Sequence, residues 1–384
     1  MFDKIIRHYN GYSNWDTNTL YLYFGILILT GILGYLSQYS KPFTNYQKIS
    51  CNKHHRFNYT ILISLFLFLL TISGLRIAGT DYPNYKNIYY SSNSVNESYF
   101  GIEPGFLIIN KIFNYIGFSF EFVVFIFSFI TIYLVFRTIL DYSGKINLSL
   151  AVFAYVSLYY LPGFNMIRMY LAASIVLYSY KYFIQEKLLK FYIILSLCVF
   201  VHFSVILFFI PTLGLLIYKK NRIAFAILYL IIFIVSFKIV SSFSELTLID
   251  RYTHYIENSE SEINNNIGLF HWIINIPIIL LYVYSIKIIP NNKYLSSLIV
   301  LTLCELLIGL LSYKITILGR SLVYYNMVFI IIIPIIIQQL KRHKARWINI
   351  IIIFYYIYLF YRFYNYLAEY LYLDGIMPYK TFFE

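Results

Sequence analysis

In LPGFNMIRMYLAAS (residues 161–174) one apolar run stops at Pro162-Gly163 and the next begins around a single arginine, Arg168. An arginine carried to the centre of a bilayer costs about 2.5–3.5 kcal/mol, so Arg168 is expected near the headgroups, facing protein or a water-filled cavity. Ala172 and Ala173, one turn further on, are small enough for close helix packing and turn the arginine inward. The alternative is a snorkelling side chain that only anchors a helix end.

Composition makes the membrane the frame for that stretch. The chain is 60% hydrophobic and 12% charged over 384 residues, with apolar runs that approach the length of a bilayer crossing. The net charge of +13 resides in short loops between these runs, where it sets orientation and gives no sign of a nucleic-acid partner. Cys198 and Cys304 fall inside apolar runs and Cys51 in a basic loop, so neither a disulfide framework nor a metal spacing is present.

Residues 1–18 read as a polar leader without the core of a cleavable signal peptide. The pattern predicts an all-α, polytopic integral membrane protein, a single transmembrane domain over 1–384. Spans are expected near Thr19–Ser37, Asn58–Leu75, Ser119–Leu140, Ile146–Leu161 and Ile167–Phe183. The apolar stretch Lys187–Tyr218 has basic residues at both ends, so it is expected to be a hairpin of two short helices turning near His202 and Ser204. Further spans are expected near Ile223–Ser242, Gly268–Ile289, Tyr294–Ser312, Ser321–Leu340 and Trp347–Tyr366. The total is about twelve, with both termini outside. Two outer loops stand out, 76–118 with an amphipathic helix and 243–267. On this arrangement 18 of the 30 Lys and Arg lie on one side with only Asp141 and Glu186 among the acids, the asymmetry of cytoplasmic loops.

On the other side arginines recur at helix mouths: Arg76, Arg168 and Arg320, with Arg251 in the second loop. The guanidinium suits bidentate capture of phosphate oxygens, and four of them suggest one cavity for a diphosphate. Each could instead pair with an acid such as Asp81, Glu103 or Asp250, or with lipid phosphates.

Five motifs then carry a resemblance: Arg76-Ile77-Ala78-Gly79-Thr80-Asp81-Tyr82 with Tyr85; Glu103-Pro104-Gly105-Phe106; Ile167-Arg168 with Leu171-Ala172; Phe200-Val201-His202-Phe203-Ser204; and Gly319-Arg320 with Tyr324-Tyr325. In this order the set resembles the EpsG family of bacterial polysaccharide-assembly membrane proteins, relatives of the Wzy-type O-antigen polymerases. The first 60 residues and the tail beyond Tyr325 contribute only hydropathy. The resemblance implies a polymerase at the outer, periplasmic face of the inner membrane. It would move a glycan chain from undecaprenyl diphosphate onto the non-reducing end of a lipid-linked repeat unit, without a nucleotide sugar or other cofactor. Its partners would be lipid-linked repeat units, membrane lipids and a chain-length regulator protein.

With no DxD-type site in an outer loop, the expectation is metal-independent chemistry, with arginines in the electrostatic role. Arg168 and Arg320 are the residues for the leaving diphosphate, and Arg76 and Arg251 for the acceptor's diphosphate or for supporting the cavity. A base must take the proton of the attacking hydroxyl. Asp81, Glu103, His202 and His254 are the candidates, His254 also as a sugar contact; a free imidazole titrates near pH 6.5, which suits His202. Tyr82, Tyr85, Tyr324 and Tyr325 could stack on sugars or belong to an aromatic belt. A lipid-linked-oligosaccharide flippase, a membrane O-acyltransferase and an O-antigen ligase remain the competing classes.

Overall fold

The computed structural model describes residues 16–39, 58–92, 102–242, 267–290, 292–312 and 316–383. In chain order the helices are α1 Thr17–Tyr39, α2 Tyr59–Gly74, α3 Tyr82–Ser91, α4 Pro104–Ile116, α5 Phe120–Asp141, α6 Leu148–Tyr155, α7 Pro162–Asn165, α8 Ile167–Ile184, α9 Leu188–Val199, α10 Phe209–Lys220, α11 Arg222–Ser242, α12 Ile267–Ile286, α13 Lys293–Ser312, α14 Thr316–Asn326, α15 Phe329–Arg342 and α16 Ile348–Glu369. A π-helical turn, Val156–Tyr160, extends α6, and a 3₁₀ segment, Phe203–Phe208, leads into α10. Among the described residues there is no strand, only an isolated antiparallel bridge between Arg76 and Thr381.

Among the described residues six helical stretches are long and apolar enough to cross a membrane: Thr17–Gln38, Phe120–Asp141, Phe203–Lys220, Lys293–Ser312, Leu318–Arg342 and Ile348–Glu369. This is the protein's membrane-embedded, all-helical character; it does not confirm the expected count of about twelve crossings. The apolar helices Tyr59–Gly74, Leu148–Tyr160 and Leu188–Val199 stop early. At 1.5 Å per residue the 16 residues of α2 span about 24 Å, less than a hydrocarbon core of about 30 Å. The break expected in the 187–218 stretch does fall at 200–202, between α9 and the 3₁₀ segment. Its second half, at 18 residues, is nevertheless a crossing by length alone and not a short arm.

The chain divides into two compact units, 1–203 with 346–384, and 204–345. In the first, α5 packs on α8, α9 on α8, and α1 on α6 and α2. Helix starts follow from local chemistry: Asn58, Ser119 and Asn147 each accept a hydrogen bond from the backbone N–H three residues on. Ala172 and Ala173 are fully buried, and the Cys198 thiol reaches the Ala172 carbonyl at 3.5 Å, so small residues do let α8 and α9 approach. In the second unit, α13 packs against α10, α12, α14 and α15.

The C-terminal tail contributes more than hydropathy. Past α16 it returns along residues 75–80: Ile77 N–H donates to the Lys380 carbonyl, Gly79 to Gly375, Thr80 to Asp374, and Phe382 to Leu75. Asp374 accepts from the Asn165 amide at 3.1 Å and from the Tyr366 hydroxyl at 2.5 Å. Asn165 in turn accepts from Asp81 N–H at 2.9 Å and from the Thr80 hydroxyl at 3.2 Å. The tail therefore straps residues 75–81 to the stretch just before Arg168. Gly79 is required there: its φ is +111°, and a Cβ would lie 2.9 Å from the Asn165 Cα. Asp374→Ala leaves these donors without their acceptor, at about 1–3 kcal/mol per buried unsatisfied group. We expect a lower melting temperature in detergent, and an unchanged one would mean the strap is dispensable.

Candidate functional site

Three sequence-distant motifs of the first unit converge on one carboxylate, Glu103. It sits just before α4, where Pro104 occupies the first helical turn, and it is buried. Its Oε2 accepts from Arg168 Nη1 at 2.5 Å, and its Oε1 lies 2.7 Å from His202 Nδ1 and 3.4 Å from Phe203 N. Gly105 allows this approach. Its N–H donates to the Phe200 carbonyl at 2.9 Å, and a Cβ on it would come within 2.6 Å of that oxygen. The break after α9 thus delivers a carbonyl, an imidazole and an amide N–H to one helix start.

Arg168, in the first turn of α8, lies with its guanidinium carbon 4.7 Å from the Phe106 ring centroid and 5.0 Å from that of Tyr85. Its side chain keeps 19% exposure, its Nε is buried without a hydrogen-bond partner, and only Nη1 is committed to the carboxylate. The Tyr85 hydroxyl reaches toward Asp81 Oδ2 at 3.5 Å, a marginal hydrogen bond that places Asp81 beside the group.

Electrostatics assign the roles within the cluster. Burial by itself raises the Glu103 carboxyl, but the hydrogen bond from His202 and the Arg168 charge outweigh it and hold the group down at about 2. Glu103 is therefore an anion at any physiological pH and too weak a base to take a proton from a hydroxyl. An ionised carboxylate only accepts, so His202 Nδ1 carries the proton it donates, and whenever the ring is neutral its Nε2 lone pair is left for another donor. Burial foremost raises the Tyr85 phenol to about 12, so it stays protonated.

The other candidates fall elsewhere. Arg76 is 2% exposed, and its nitrogens donate to the Phe164, Gly163 and Ser73 carbonyls and the Ser73 and Ser128 hydroxyls. It lines a cavity of about 20 Å³, room for roughly one water, with Tyr155, Tyr159, Tyr160 and Tyr170. Its fork is spent clamping the 163–164 turn to α2 and α5, so it is not presented to a headgroup and does not pair with Asp81. Tyr82 is buried edge-on against Phe120, at 5.1 Å between ring centroids. In the second unit Tyr324 and Tyr325 have no exposure; Tyr324 meets the Ser204 hydroxyl at 2.9 Å, and Tyr325 donates to the Leu207 carbonyl at 2.5 Å. Core packing, which aromatic residues at helical spacing satisfy as readily as ligand stacking, takes up these rings. Arg320 is exposed on α14, in that second unit. Arg251 and His254, with nearly all of the 243–267 loop, lie outside the described residues.

Sequence reasoning passed over Asn165, Asp374 and Tyr366, which hold the ground on which Asp81 and Arg168 stand. The available signal was the Asp374-Gly375 turn dipeptide just past the last apolar helix. It also passed over the glycine at 105 as a point of backbone contact.

Apolar helices of crossing length and a buried charged cluster beside them define a polytopic, all-α membrane protein. The EpsG family model matches residues 59–381, and the chain belongs to that family of membrane polysaccharide-assembly proteins. The matched range takes in the C-terminal strap. No curated protein and no solved structure matches the chain.

Proposed function

We propose that the protein is a polysaccharide polymerase of the Wzy type. It would transfer a growing glycan from undecaprenyl diphosphate to the non-reducing end of a lipid-linked repeat unit, at the outer face of the inner membrane. The observation that carries this reading is the Glu103 carboxylate joined at once to Arg168 and His202. Such a group supplies what glycosyl transfer from a diphosphate needs: a fixed cation for the leaving group and an oriented base for the nucleophile.

In this mechanism the acceptor hydroxyl oxygen attacks the anomeric carbon. The bond from that carbon to the diphosphate oxygen breaks, and its electron pair leaves with undecaprenyl diphosphate. His202 Nε2 takes the hydroxyl proton, while Glu103 fixes the tautomer and stabilises the imidazolium that forms. Arg168, through the nitrogens it does not give to Glu103, meets the developing negative charge. Tyr85 and Phe106 hold its plane. Arg320 and Arg251 are proposed to add charge at the diphosphate, and His254 to touch sugar. Arg76 and Tyr82 take supporting roles in the packing of the first unit, and Tyr324 and Tyr325 in the packing of the second. Asp81 is proposed as a polar contact to the acceptor beside Tyr85.

Arginines that supply the charge make a divalent cation unnecessary. Purified protein given lipid-linked repeats is expected to lengthen them in the presence of a chelator. A strict need for a divalent ion would overturn this mechanism, and no lengthening under any condition would overturn the polymerase reading.

A further inference from the structure

Helix α4 presents two faces of opposite character. Phe106 and Asn110 are buried and Ile109 and Phe113 pack beside them, on a cluster with Tyr82, Tyr85, Tyr89 and the start of α5. On the other side Ile108, Ile112 and Ile116 are each more than half exposed, and Tyr115 is 87% exposed. Positions 108, 112, 115 and 116 follow one another at helical spacing, so they form a single continuous apolar stripe. Lys111 lies at its edge, exposed, where a long cationic side chain can bend toward phosphate.

Covalent geometry says what covers this stripe. Only residues 117–119 separate α4 from α5, a helix of crossing length that begins at Phe120. Three residues reach at most about 11 Å. The end of α4 is therefore held within reach of the headgroup zone, which is about 5–8 Å deep on each side of the hydrocarbon core. Gly117, at φ +89°, and Ser119, which caps α5, turn the chain sharply between the two helices.

We propose that α4 is an interfacial helix whose Ile108, Ile112, Tyr115 and Ile116 stripe rests in the lipid of the outer leaflet. Its N-terminus bears Glu103 and Gly105, so the helix sets the depth of the Glu103–Arg168–His202 cluster at the level where a lipid-borne headgroup travels. The proposal rests on the membrane-embedded character of the chain and not on its being a polymerase, so the two stand or fall by separate measurements.

The test uses full-length protein with Cys51, Cys198 and Cys304 replaced by Ser, reconstituted in phosphatidylethanolamine–phosphatidylglycerol vesicles. Single spin labels are placed at 108, 112 and 115, with the exposed polar position 84 on α3 as reference. Oxygen should relax the three stripe labels more than a water-soluble nickel complex does, with a ratio severalfold above that at 84 and a depth of about 5–10 Å below the headgroups. All three positions are exposed, so labelling there leaves the packing of the buried face intact. Nickel-dominated relaxation would place the stripe in water, and weak relaxation by both reagents would show protein, such as a second copy, covering it; either overturns the proposal.

Discussion

Glu103→Gln should abolish chain lengthening almost completely while the protein stays in the membrane at normal abundance. The amide keeps the size and one acceptor oxygen but no longer dictates that His202 Nδ1 is the protonated nitrogen, and it no longer stabilises an imidazolium. Where a carboxylate orients a catalytic histidine in this way, its replacement by the amide lowers turnover by roughly 10⁴. A loss on the order of 10³–10⁴ in the rate of repeat addition is the expected result here. Glu103→Ala is the poorer experiment, because it leaves the part-buried Arg168 without its carboxylate and so mixes a loss of stability with any loss of turnover. Polymer of ordinary length and amount from the Gln variant would remove the oriented-base role from His202 and Glu103 together.

The same carboxylate fixes a pH dependence. Its pKa in the folded protein is depressed to about 2, against 4.5 for the free group. The stability it contributes is therefore fully present above about 4.5 and is lost only as pH falls through the folded value. The carboxylate's own titration should therefore narrow the stability gap between the native protein and Glu103→Gln as pH falls from about 4.5 toward 2, which thermal unfolding in detergent can check.

Arg168→Lys is the second substitution with a large expected effect. Lysine keeps the charge, can still reach Glu103, and retains a stem that snorkels. It loses the planar fork that lies against Phe106 and Tyr85 while offering further donors to a ligand. Loss of one preorganised charge-stabilising donor costs about 10²–10³ in rate. Cells carrying the variant are then expected to make glycan of single repeats or very short chains at unchanged protein abundance. Long polymer from Arg168→Lys would mean that the arginine only closes an internal ion pair.

The two substitutions separate roles that one distance cannot. Glu103 touches both Arg168 and His202, so an effect at Glu103 alone could arise through either. A large loss in Arg168→Lys points to the leaving group, and a Glu103→Gln loss that exceeds it assigns the excess to His202.

The members of the cluster were legible one by one. Arg168 stands out because a cation at the mouth of an apolar run is expensive unless it faces protein; it faces Glu103, one of the acids weighed as its partner in place of a diphosphate. The break at 200–202 was legible because an apolar stretch flanked by basic residues at both ends has to turn. The tyrosines were not legible as core. Tyr324 and Tyr325 read as sugar contacts or, more commonly for such residues, as an aromatic belt, until the second unit shows their hydroxyls bonded to Ser204 and Leu207. Arg76 takes the supporting place that was the second of its two readings, and the sequence could not choose between them because a buried arginine satisfied by backbone carbonyls leaves no acidic partner to betray it.

Hydropathy and loop charge determined by themselves that the chain is a helical membrane protein, and they set Arg168, Glu103 and His202 among the candidates one by one. Those properties depend on the transfer of side chains from water to lipid, which each segment settles alone. Tertiary structure decided which candidates share a contact, that Gly105 admits the Phe200 carbonyl, and that Asp374 straps the tail to Asn165. These are contacts between residues 65 to 209 positions apart. Nothing local records them, because their energy exists only once the helices between them have packed.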